Sequence, residues 1–311
     1  MNSFNQFTKI DELPGFIIVL GAHGQVGKAL IELLGNKAIA LSRNEIDLDQ
    51  PEILREKLDQ ASQAKPIIAL INAAAYTQVD LAEKEKEKAF RINAESPGIL
   101  ADWCKSKKIP LIHYSTDYVF NGEGNKPWTE EDPVSPQNSY GISKLEGEKR
   151  IQSSGCDFLI FRTSWVFDST GKNFVNTMLR LGKERETLKV VSDQKGAPTY
   201  APHLAIASLK ALVKAQEMIQ NQGNPFPSGV YHLCNLGETS WFEFAQTIFN
   251  MTRAKGVELK ITNLQPISSA EYPTPAKRPL NSRLNTSKAK NILSIELPEW
   301  IEGLKDCLSA Y

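Results

Sequence analysis

The chain has 311 residues, enough for one large domain or two unequal ones, and its composition, 41% hydrophobic and 23% charged, is that of an ordinary globular protein. Lysine plus arginine and aspartate plus glutamate both total 36, so the net charge is zero and no basic field indicates a nucleic-acid partner. No apolar run reaches membrane-spanning length, and the N-terminal residues lack the basic and apolar regions of a signal peptide.

The cysteines and histidines narrow the function classes further. The cysteines are scattered without a CxxC pair, and the histidines form no HExxH or other metal-ligand spacing. Reduced thiols are typical of cytosolic proteins. We therefore expect a cytoplasmic protein with no metal site, no membrane association and no nucleic-acid partner.

Strands and helices alternate along the first half of the chain. The apolar segments GFIIVLGA, KAIALS, PIIALINAAA, KIPLIHYST and DFLIFRTSW are predicted to be strands. Between them, QVGKALIELLG is a helix closed by Gly35, Pro51 opens a second helix, and the charged stretch AEKEKEKAFRINAESPGILADWCKSK is a third with a solvated face. This order predicts an α/β fold with a doubly wound parallel sheet, the Rossmann arrangement.

Beyond Trp165 the alternation loosens. NFVNTMLRLGKERE, APHLAIASLKALVKAQEMIQ and WFEFAQTIFNMTRA read as helices, and LKVVSD and GVYHLC read as strands. We interpret part of this region as a smaller, discontinuous C-terminal α/β substrate domain. The predicted division assigns residues 1–163 and 201–235 to an NAD(P)-binding Rossmann domain and residues 164–200 and 236–311 to the smaller domain.

A glycine-spaced turn predicts a nucleotide cofactor. Gly21, Gly24 and Gly27 form G-x-x-G-x-x-G directly after the first strand and at the start of a helix. Glycine allows the sharp turn and lets backbone amides approach a pyrophosphate, and the helix N-terminus adds N–H donors and a positive dipole. The strand–turn–helix context favours a dinucleotide.

The residues after the second strand bear on the choice of cofactor. NAD sites usually place an acidic residue there, whereas this strand ends in Leu41, Ser42 and Arg43. Because arginine pairs with a 2′-phosphate, we predict NADPH, with NADH possible; the alternative is that Arg43 is a solvent-facing loop residue. Asp47 and Leu48 lie further on, where an aspartate can reach the adenine amino group.

Three small residues follow the third strand. Ala73, Ala74 and Ala75 are small enough for the cofactor to pass closely, and the alternative interpretation is tight packing.

Tyr140 and Lys144 are the principal candidates for chemistry. They lie four residues apart in a predicted helix, so they share a face. A positive charge about 4 Å from a phenolate contributes roughly 4 kcal/mol at an effective dielectric near 20, which corresponds to a phenol pKa about three units below its usual ~10. A phenol that titrates near neutrality suits acid–base catalysis on a carbonyl, and the alternative is a surface i,i+4 pair.

The fourth strand ends in HYSTDYVF, at the edge of a parallel sheet where ligands bind. Thr116 is placed there to hydrogen-bond a substrate carbonyl while Tyr140 delivers a proton to it. We interpret His113, within the strand, as a packed core residue.

Several motifs together resemble a known family. GAHGQVG, NAAAYTQVD, YSTDYVF, YGISKLEGE and FRTSWVF resemble the extended short-chain dehydrogenase/reductase superfamily, and SDQKGAPT and YPTPAKRPLNSRLNT narrow the resemblance to the dTDP-4-dehydrorhamnose reductases. The motifs run from about residue 16 to 300. The resemblance implies NADPH-dependent reduction of the C4 keto group of dTDP-4-dehydro-L-rhamnose, the last step of dTDP-rhamnose biosynthesis, with the smaller domain binding the sugar nucleotide.

The resemblance also implies roles for individual residues. Tyr140 would be the proton donor to the C4 oxygen, Lys144 would lower its pKa and hold the nicotinamide ribose, and Thr116 would polarise the carbonyl. Cofactor contacts are implied for the glycine turn with Gln25 and Val26, for the region after the second and third strands, and for Tyr114.

Substrate contacts are implied for Asp117 and Trp165. Without the family, Trp165 reads equally well as a core aromatic. Arg278 is a candidate partner for the substrate diphosphate, and a structural salt bridge is its alternative. The departure from the family pattern is Ser42-Arg43, where some relatives carry an acidic residue.

Other functions remain as alternatives. A related 4,6-dehydratase needs an extra carboxylic acid beside the Thr-Asp pair, but Tyr118 follows Asp117 here. A reductase acting on another dTDP or UDP 4-ketosugar, an epimerase, and a non-catalytic regulatory subunit of the same fold, as in the methionine adenosyltransferase β subunit, are the others. The expected partner is a dTDP-sugar substrate, and a homodimer is a possible assembly.

Overall fold

The structure, a computed structural model, describes residues 13–63 and 65–311. Most of the polar leader at the N-terminus, to which no role is assigned, lies outside the described residues. In chain order the strands are β1 (Phe16–Leu20), β2 (Ala38–Leu41), β3 (Ile67–Asn72), β4 (Leu111–Thr116), β5 (Phe158–Thr163), β6 (Val166–Phe167), β7 (Thr187–Val191), β8 (Lys195–Gly196), β9 (Thr199–Tyr200), β10 (Gly229–His232), β11 (Thr239–Ser240), β12 (Asn263–Ile267) and β13 (Asn281–Ser282).

The helices flank these strands. They are α1 (Gln25–Leu34), α2 (Leu54–Ala61), α3 (Val79–Ala82), α4 (Lys86–Phe90), α5 (Ser96–Lys107), α6 (Ser139–Ser154), α7 (Phe174–Glu184), α8 (Ala201–Gln222), α9 (Trp241–Ala254), α10 (Ser287–Leu293) and α11 (Trp300–Leu308). Within the described ranges, no helix is long and apolar enough to cross a membrane.

The central sheet is parallel throughout and has the order β10-β5-β4-β3-β1-β2. Its middle strands are apolar on both faces because helices cover both sides, as in doubly wound folds. Helices α1, α8 and α10 pack on one face, and α2, α5 and α6 pack on the other. The predicted Rossmann-type fold is therefore confirmed.

A third apolar cluster lies beyond the sheet. Helices α7, α9 and α11 contribute most of it, together with β7. Strands β7 and β12 pair in parallel, and β8 pairs with β11 and β13. Helix α9 begins with a capping box between Ser240 and Glu243, which satisfies two backbone N–H groups at its first turn.

Two local predictions are corrected. Pro51 opens a short 3₁₀ turn (Pro51–Ile53) that runs into α2, rather than opening the α-helix itself. The charged stretch is not one helix: it forms α3, α4, a π-helical turn (Arg91–Glu95) and α5. The Asn93 side chain of that turn bonds to both backbone polar groups of Tyr76, which fixes the turn against the loop after β3.

Candidate active site

A cleft of about 540 Å³ opens at the carboxyl ends of the central strands. Its walls combine the loops after β1, β2 and β3 with the start of α6, because parallel strands bring their carboxyl ends to one edge. Most of the predicted cofactor residues line it: Gly21, Gly24, Gln25, Val26, Arg43, Asp47, Leu48, Ala73, Ala74, Ala75, Tyr114, Tyr140 and Lys144. The cleft therefore joins the predicted dinucleotide turn to the predicted catalytic pair.

The glycine turn has no room for side chains. A Cβ on Gly21 would lie 2.7 Å from the backbone nitrogen of Ala74, and its φ of +80° already favours glycine. Gly27 does not line the cleft; a Cβ there would meet the Gly21 carbonyl oxygen at 2.1 Å. Both contacts hold the N-terminus of α1 close to the sheet edge, which is the arrangement that a pyrophosphate requires.

The loop after β2 carries the Glu45 carboxylate, which the sequence motif did not reveal. Buried Ser42 is absent from the cleft lining, and its backbone N–H and hydroxyl both donate to the Glu45 carboxylate, which lowers the pKa of Glu45. Arg43 is two-thirds exposed and forms an ion pair with Asp47 at 3.1 Å. Arg43 is thus positioned at the cleft with its exposed guanidinium held by the partly buried Asp47 carboxylate, which an anionic ligand can displace.

Tyr140 and Lys144 both line the cleft from the first two turns of α6. Asn138 caps this helix by accepting from the N–H of Gly141 at 2.8 Å. Lys144 is 2% exposed, and its Nζ donates to the carbonyl oxygen of Tyr114 at 2.6 Å. Burial lowers the pKa of Lys144 to about 8, while the Glu148 carboxylate opposes that change.

The expected lowering of the Tyr140 pKa is wrong for this structure. Burial raises the pKa of the phenol, and the adjacent Thr116 hydroxyl only partly offsets that effect. Lys144 does not contribute, because its ammonium points to the β4 backbone and to His113 rather than to the phenol. The i,i+4 spacing therefore predicted the shared cleft correctly but not the electrostatics.

Thr116 and Asp117 lie buried at the end of β4, beside the cleft rather than in its lining. The Thr116 hydroxyl donates to Asp117 Oδ1 at 3.1 Å and accepts from the N–H of Tyr118 at 3.2 Å. Asp117 Oδ2 has no partner with hydrogen-bonding geometry, although Ser282 lies close enough to favour the carboxylate. Burial raises the pKa of Asp117 to about 6. An unpaired buried carboxylate oxygen beside Thr116 and Tyr140 is an acceptor for a ligand hydroxyl.

Trp165 is held in an unusual conformation next to this site. Its φ is +50°, and its ring stacks on Trp241 with centroids 3.7 Å apart. A Cβ on Gly196 would lie 2.9 Å from the Trp165 ring, so the ring packs against bare backbone there. Positive φ is costly for a bulky residue, and such strain often marks a ligand site. Trp165 does not line the cofactor cleft.

Arg278 lies in the loop before β13 and is not part of the cleft. Its guanidinium pairs with Asp80 of α3 at 2.7 Å, and the N–H of Ala276 also donates to Asp80. This is the salt bridge that the sequence left as the alternative to a substrate contact. The pair fastens the proline-rich loop to α3.

The structure adds groups that the motifs did not single out. The cleft is also lined by His23, Ile46, Thr77, Ile92, Ser115, Thr163, Val166, Gly171, Lys172 and Leu204. Behind it, fully buried Glu148 accepts from Arg162 Nε at 2.9 Å and Nη2 at 2.6 Å, and from Ser115 Oγ at 2.5 Å. The available signal for this pair was the charged Arg162 within the largely apolar strand β5. In residues 13–63 and 65–311, no group of three or more His, Cys, Asp or Glu side chains is placed to hold a metal ion.

Comparison with known proteins decides the family. A family model described as the RmlD substrate binding domain matches residues 16–311. A dTDP-4-dehydrorhamnose reductase of Burkholderia thailandensis is 45% identical over 296 residues, covering 94% of this chain and 97% of the relative. The chain belongs to the dTDP-4-dehydrorhamnose reductase family. The Escherichia coli K12 enzyme of that name is 42% identical over 300 residues, with the same coverage of both chains.

Solved structures of the reductase family share the whole fold. A dTDP-4-dehydrorhamnose reductase from Bacillus anthracis, in complex with NADP, has a TM-score of 0.82 and 33% identity, covering 96% of this chain and all of its own. An orthologue from Clostridium acetobutylicum has a TM-score of 0.83 and 34% identity, with 94% and 98% coverage. The resemblance seen in the sequence motifs is therefore confirmed as family membership.

Proposed function

We propose that this chain reduces the C4 keto group of dTDP-4-dehydro-L-rhamnose to give dTDP-L-rhamnose, the last step of dTDP-rhamnose biosynthesis, with NADPH as the reductant and NADH as a possible substitute. The observation that carries the proposal is the single cleft that holds the glycine turn, Tyr140 and Lys144 together. Family membership over nearly the whole chain, with relatives named for this reaction, supports the choice of substrate. An NADP complex within the family supports the cofactor.

The cleft residues fit a dinucleotide. The N-terminus of α1, with Gly24, Gln25 and Val26 at its start, would hold the pyrophosphate, since the glycine turn brings backbone donors against the phosphates. Asp47, Leu48 and the alanine trio after β3 would surround the adenosine, and Arg43 would pair with a 2′-phosphate. Tyr114 and Lys144 would contact the nicotinamide end. Bound NADPH supplies the hydride that reduces the carbonyl carbon.

The protein supplies the proton and its electrostatic support. Tyr140 gives its phenolic proton to the C4 oxygen as charge develops there, and the Thr116 hydroxyl stabilises the same oxygen. A raised phenol pKa keeps the proton on Tyr140 until that charge appears. Lys144 then replaces the proton on Tyr140 through an intervening water, because its ammonium faces β4 rather than the phenol. The hydrogen bonds from Tyr140 and Thr116 strengthen as charge develops on the C4 oxygen, so they raise kcat more than substrate affinity.

The substrate would be oriented by the groups beside the cleft. Asp117 would accept a sugar hydroxyl through its unpaired Oδ2, and the Trp165 ring would form a wall of the sugar pocket. Arg278 would reach the diphosphate after leaving Asp80, or would keep its structural pairing. We retain the division into a Rossmann domain (1–163 and 201–235) and a sugar-nucleotide domain (164–200 and 236–311) as part of this proposal.

A coupled assay tests the reaction. Purified protein receives the 4-keto-L-sugar nucleotide with NADPH or NADH, and the loss of reduced-nicotinamide absorbance is compared with sugar formed. We expect one cofactor oxidised for each sugar reduced. A sugar product formed without net cofactor oxidation would indicate an epimerase or dehydratase, and no turnover of either cofactor would favour the regulatory subunit.

Arg43→Ala is expected to raise KM for NADPH about tenfold, equivalent to ~1.4 kcal/mol, and to leave KM for NADH unchanged. The reason is that only NADPH carries the 2′-phosphate that the guanidinium would bind. Steady-state kinetics with each cofactor measure the two KM values separately. Arg180→Ala is the matched control, because Arg180 is exposed to a similar degree and forms an i,i+4 pair with Glu184 away from the cleft. Equal changes for NADPH and NADH would contradict the role of Arg43.

Asp117→Asn is expected to stabilise the protein at pH 8 by up to about 3 kcal/mol and to lower turnover. The Asp117 pKa rises from 3.8 to about 6 on folding, so the folded state binds more protons between these values. Stability is therefore lost as pH rises through that window, and the buried charge destabilises the protein above it. Urea unfolding of variant and wild type should agree near pH 4 and diverge by pH 8. Exposed Asp102→Asn is the control; a gain that does not depend on pH would contradict the account.

The proposal also covers the cellular compartment and the oligomeric state of the protein. We propose a cytoplasmic enzyme, which the four free, buried cysteines support. A homodimer remains the assembly to test, by light scattering of the purified chain at several concentrations.

A further inference from the structure

A line of buried side chains continues behind Lys144, away from the cleft. Asn72 ends β3, and His113 of β4 is its direct partner in the sheet register. Asn72 Nδ2 lies 3.1 Å from His113 Nδ1, and His113 Nε2 lies 3.2 Å from Lys144 Nζ. All three residues are at most 2% exposed. His113 is therefore a packed core residue, as the sequence predicted, and it also bridges an amide and the lysine.

The orientation of Asn72 fixes the proton on His113. Asn72 Oδ1 accepts from the backbone N–H of Ala74 at 3.1 Å, so the amide turns its NH₂ group towards the imidazole. An NH₂ group only donates, and Nδ1 must therefore be the acceptor. Burial, with the Lys144 charge adding to it, lowers the pKa of His113 well below its ordinary value, so the ring is neutral. A neutral ring that accepts at Nδ1 carries its single proton on Nε2.

That tautomer has a consequence for Lys144. The Nε2–H group faces Nζ at 3.2 Å, and an ammonium has no lone pair to accept it, whereas a neutral amine has one. A neutral amine can still donate to the Tyr114 carbonyl oxygen at 2.6 Å. The imidazole therefore opposes the charged form of Lys144 and stabilises the neutral form by a hydrogen bond.

The other groups around Lys144 do not cancel this effect. From α6, Glu148 favours the ammonium, but Arg162 of β5 holds both oxygens of that carboxylate. The groups of β4 that contact Lys144 Nζ are the His113 ring and the Tyr114 carbonyl oxygen. Asn72 of β3 affects Lys144 only through His113. Tyr140 shares the helix face and has a phenol that burial keeps protonated.

We propose that His113, with its tautomer set by Asn72, is a positioning residue that holds Lys144 Nζ and stabilises the neutral amine left when Lys144 has passed its proton to Tyr140. The proposal rests on the proposed function. In proton balance, Tyr140 protonates the C4 oxygen, the Lys144 ammonium reprotonates the phenolate through an intervening water, and a proton from solvent restores the ammonium before the next turnover. His113 keeps its Nε2 proton throughout.

The tautomer is measured directly, without substrate. The chain has four histidines, so ¹⁵N-histidine labelling and long-range proton–nitrogen spectra resolve each ring, and the His113 signals are those lost in His113→Gln. In the wild type we expect Nε2–H near neutral pH. In Asn72→Asp the carboxylate can only accept, so His113 should move its proton to Nδ1. Nδ1–H in the wild type would overturn the proposal.

Steady-state kinetics distinguish a positioning role of His113 from a merely structural one. With Nε2 turned into an acceptor in Asn72→Asp, Lys144 keeps its proton more tightly. We expect kcat to fall about tenfold and the limb of the kcat–pH profile that reports Lys144 to move up by about one pH unit, with KM for the sugar unchanged. His113→Phe should also shift that limb, and His113→Gln should restore it, since a glutamine amide can donate to Nζ.

Asn235→Asp is the matched control. Asn235 is buried, and its Nδ2 contacts His203 Nδ1 at 2.9 Å, but neither residue lines the cleft. An equal shift of the pH profile in Asn235→Asp would overturn the proposal. Because the spectra need no substrate, a wild type with Nε2–H that fails to reduce the ketosugar would refute the proposed reaction and leave the tautomer assignment intact.

Discussion

Tyr140→Phe is expected to lower kcat by about 10²- to 10⁴-fold, the range that a positioned proton donor contributes, while NADPH affinity stays near that of the wild type. The phenyl ring keeps the edge-to-face contact with Tyr118, whose ring centroid is 5.6 Å away, so the cleft wall is preserved. What is lost is the only proton that this side chain can give to the C4 oxygen. Steady-state kinetics and cofactor titration by fluorescence measure the two quantities separately.

Tyr231→Phe is the control for that result. The Tyr231 hydroxyl donates to the Pro227 carbonyl oxygen at 2.7 Å, and the residue does not line the cleft. Its kcat should remain within about twofold of the wild type. A Tyr140→Phe enzyme with near-wild-type turnover would show that another group supplies the proton.

Glu148→Gln is expected to lower the free energy of unfolding by about 3–5 kcal/mol, because it leaves Arg162 as a buried, uncompensated charge. Glu148 is fully buried, and Arg162 is 5% exposed at its side chain. Arg162 Nη1 already has no hydrogen-bond partner, so the guanidinium depends on this carboxylate. Urea unfolding monitored by fluorescence provides the measurement.

A surface pair on the same helix provides the comparison. Glu146 and Arg150 form an i,i+4 ion pair at 3.1 Å with both side chains partly exposed, and Glu146→Gln should cost less than about 0.5 kcal/mol. Replacing both buried partners by methionine should recover most of the loss, since it removes the unpaired charge. A loss in Glu148→Gln no larger than in Glu146→Gln would contradict the account.

The sequence was sufficient for the features that depend on local spacing. The apolar runs predicted the parallel strands, and G-x-x-G-x-x-G predicted the turn after β1. The i,i+4 spacing predicted that Tyr140 and Lys144 share one side of α6, and both line the cleft. Each of these follows from backbone geometry over a few residues.

Contacts between distant segments were beyond such reasoning. The Lys144 ammonium was expected to act on the phenol, but β4 places His113 and the Tyr114 carbonyl within its reach, 31 and 30 residues away in sequence. Likewise, Trp165 stacks on Trp241, which lies far from it in the sequence. The burial of a side chain also cannot be read from the residues near it in sequence. For that reason the direction of the Tyr140 pKa shift could not be predicted.

We propose that this cleft delivers a hydride to C4 of the sugar and the Tyr140 proton to the C4 oxygen. NADPH carrying deuterium at the transferable nicotinamide position, given with dTDP-4-dehydro-L-rhamnose, tests it most directly through the NMR and mass spectra of the product. We expect the wild type to form dTDP-L-rhamnose with one deuterium, at C4, and Tyr140→Phe to lose this product. A product without deuterium at C4, or with the label at another carbon, would contradict it.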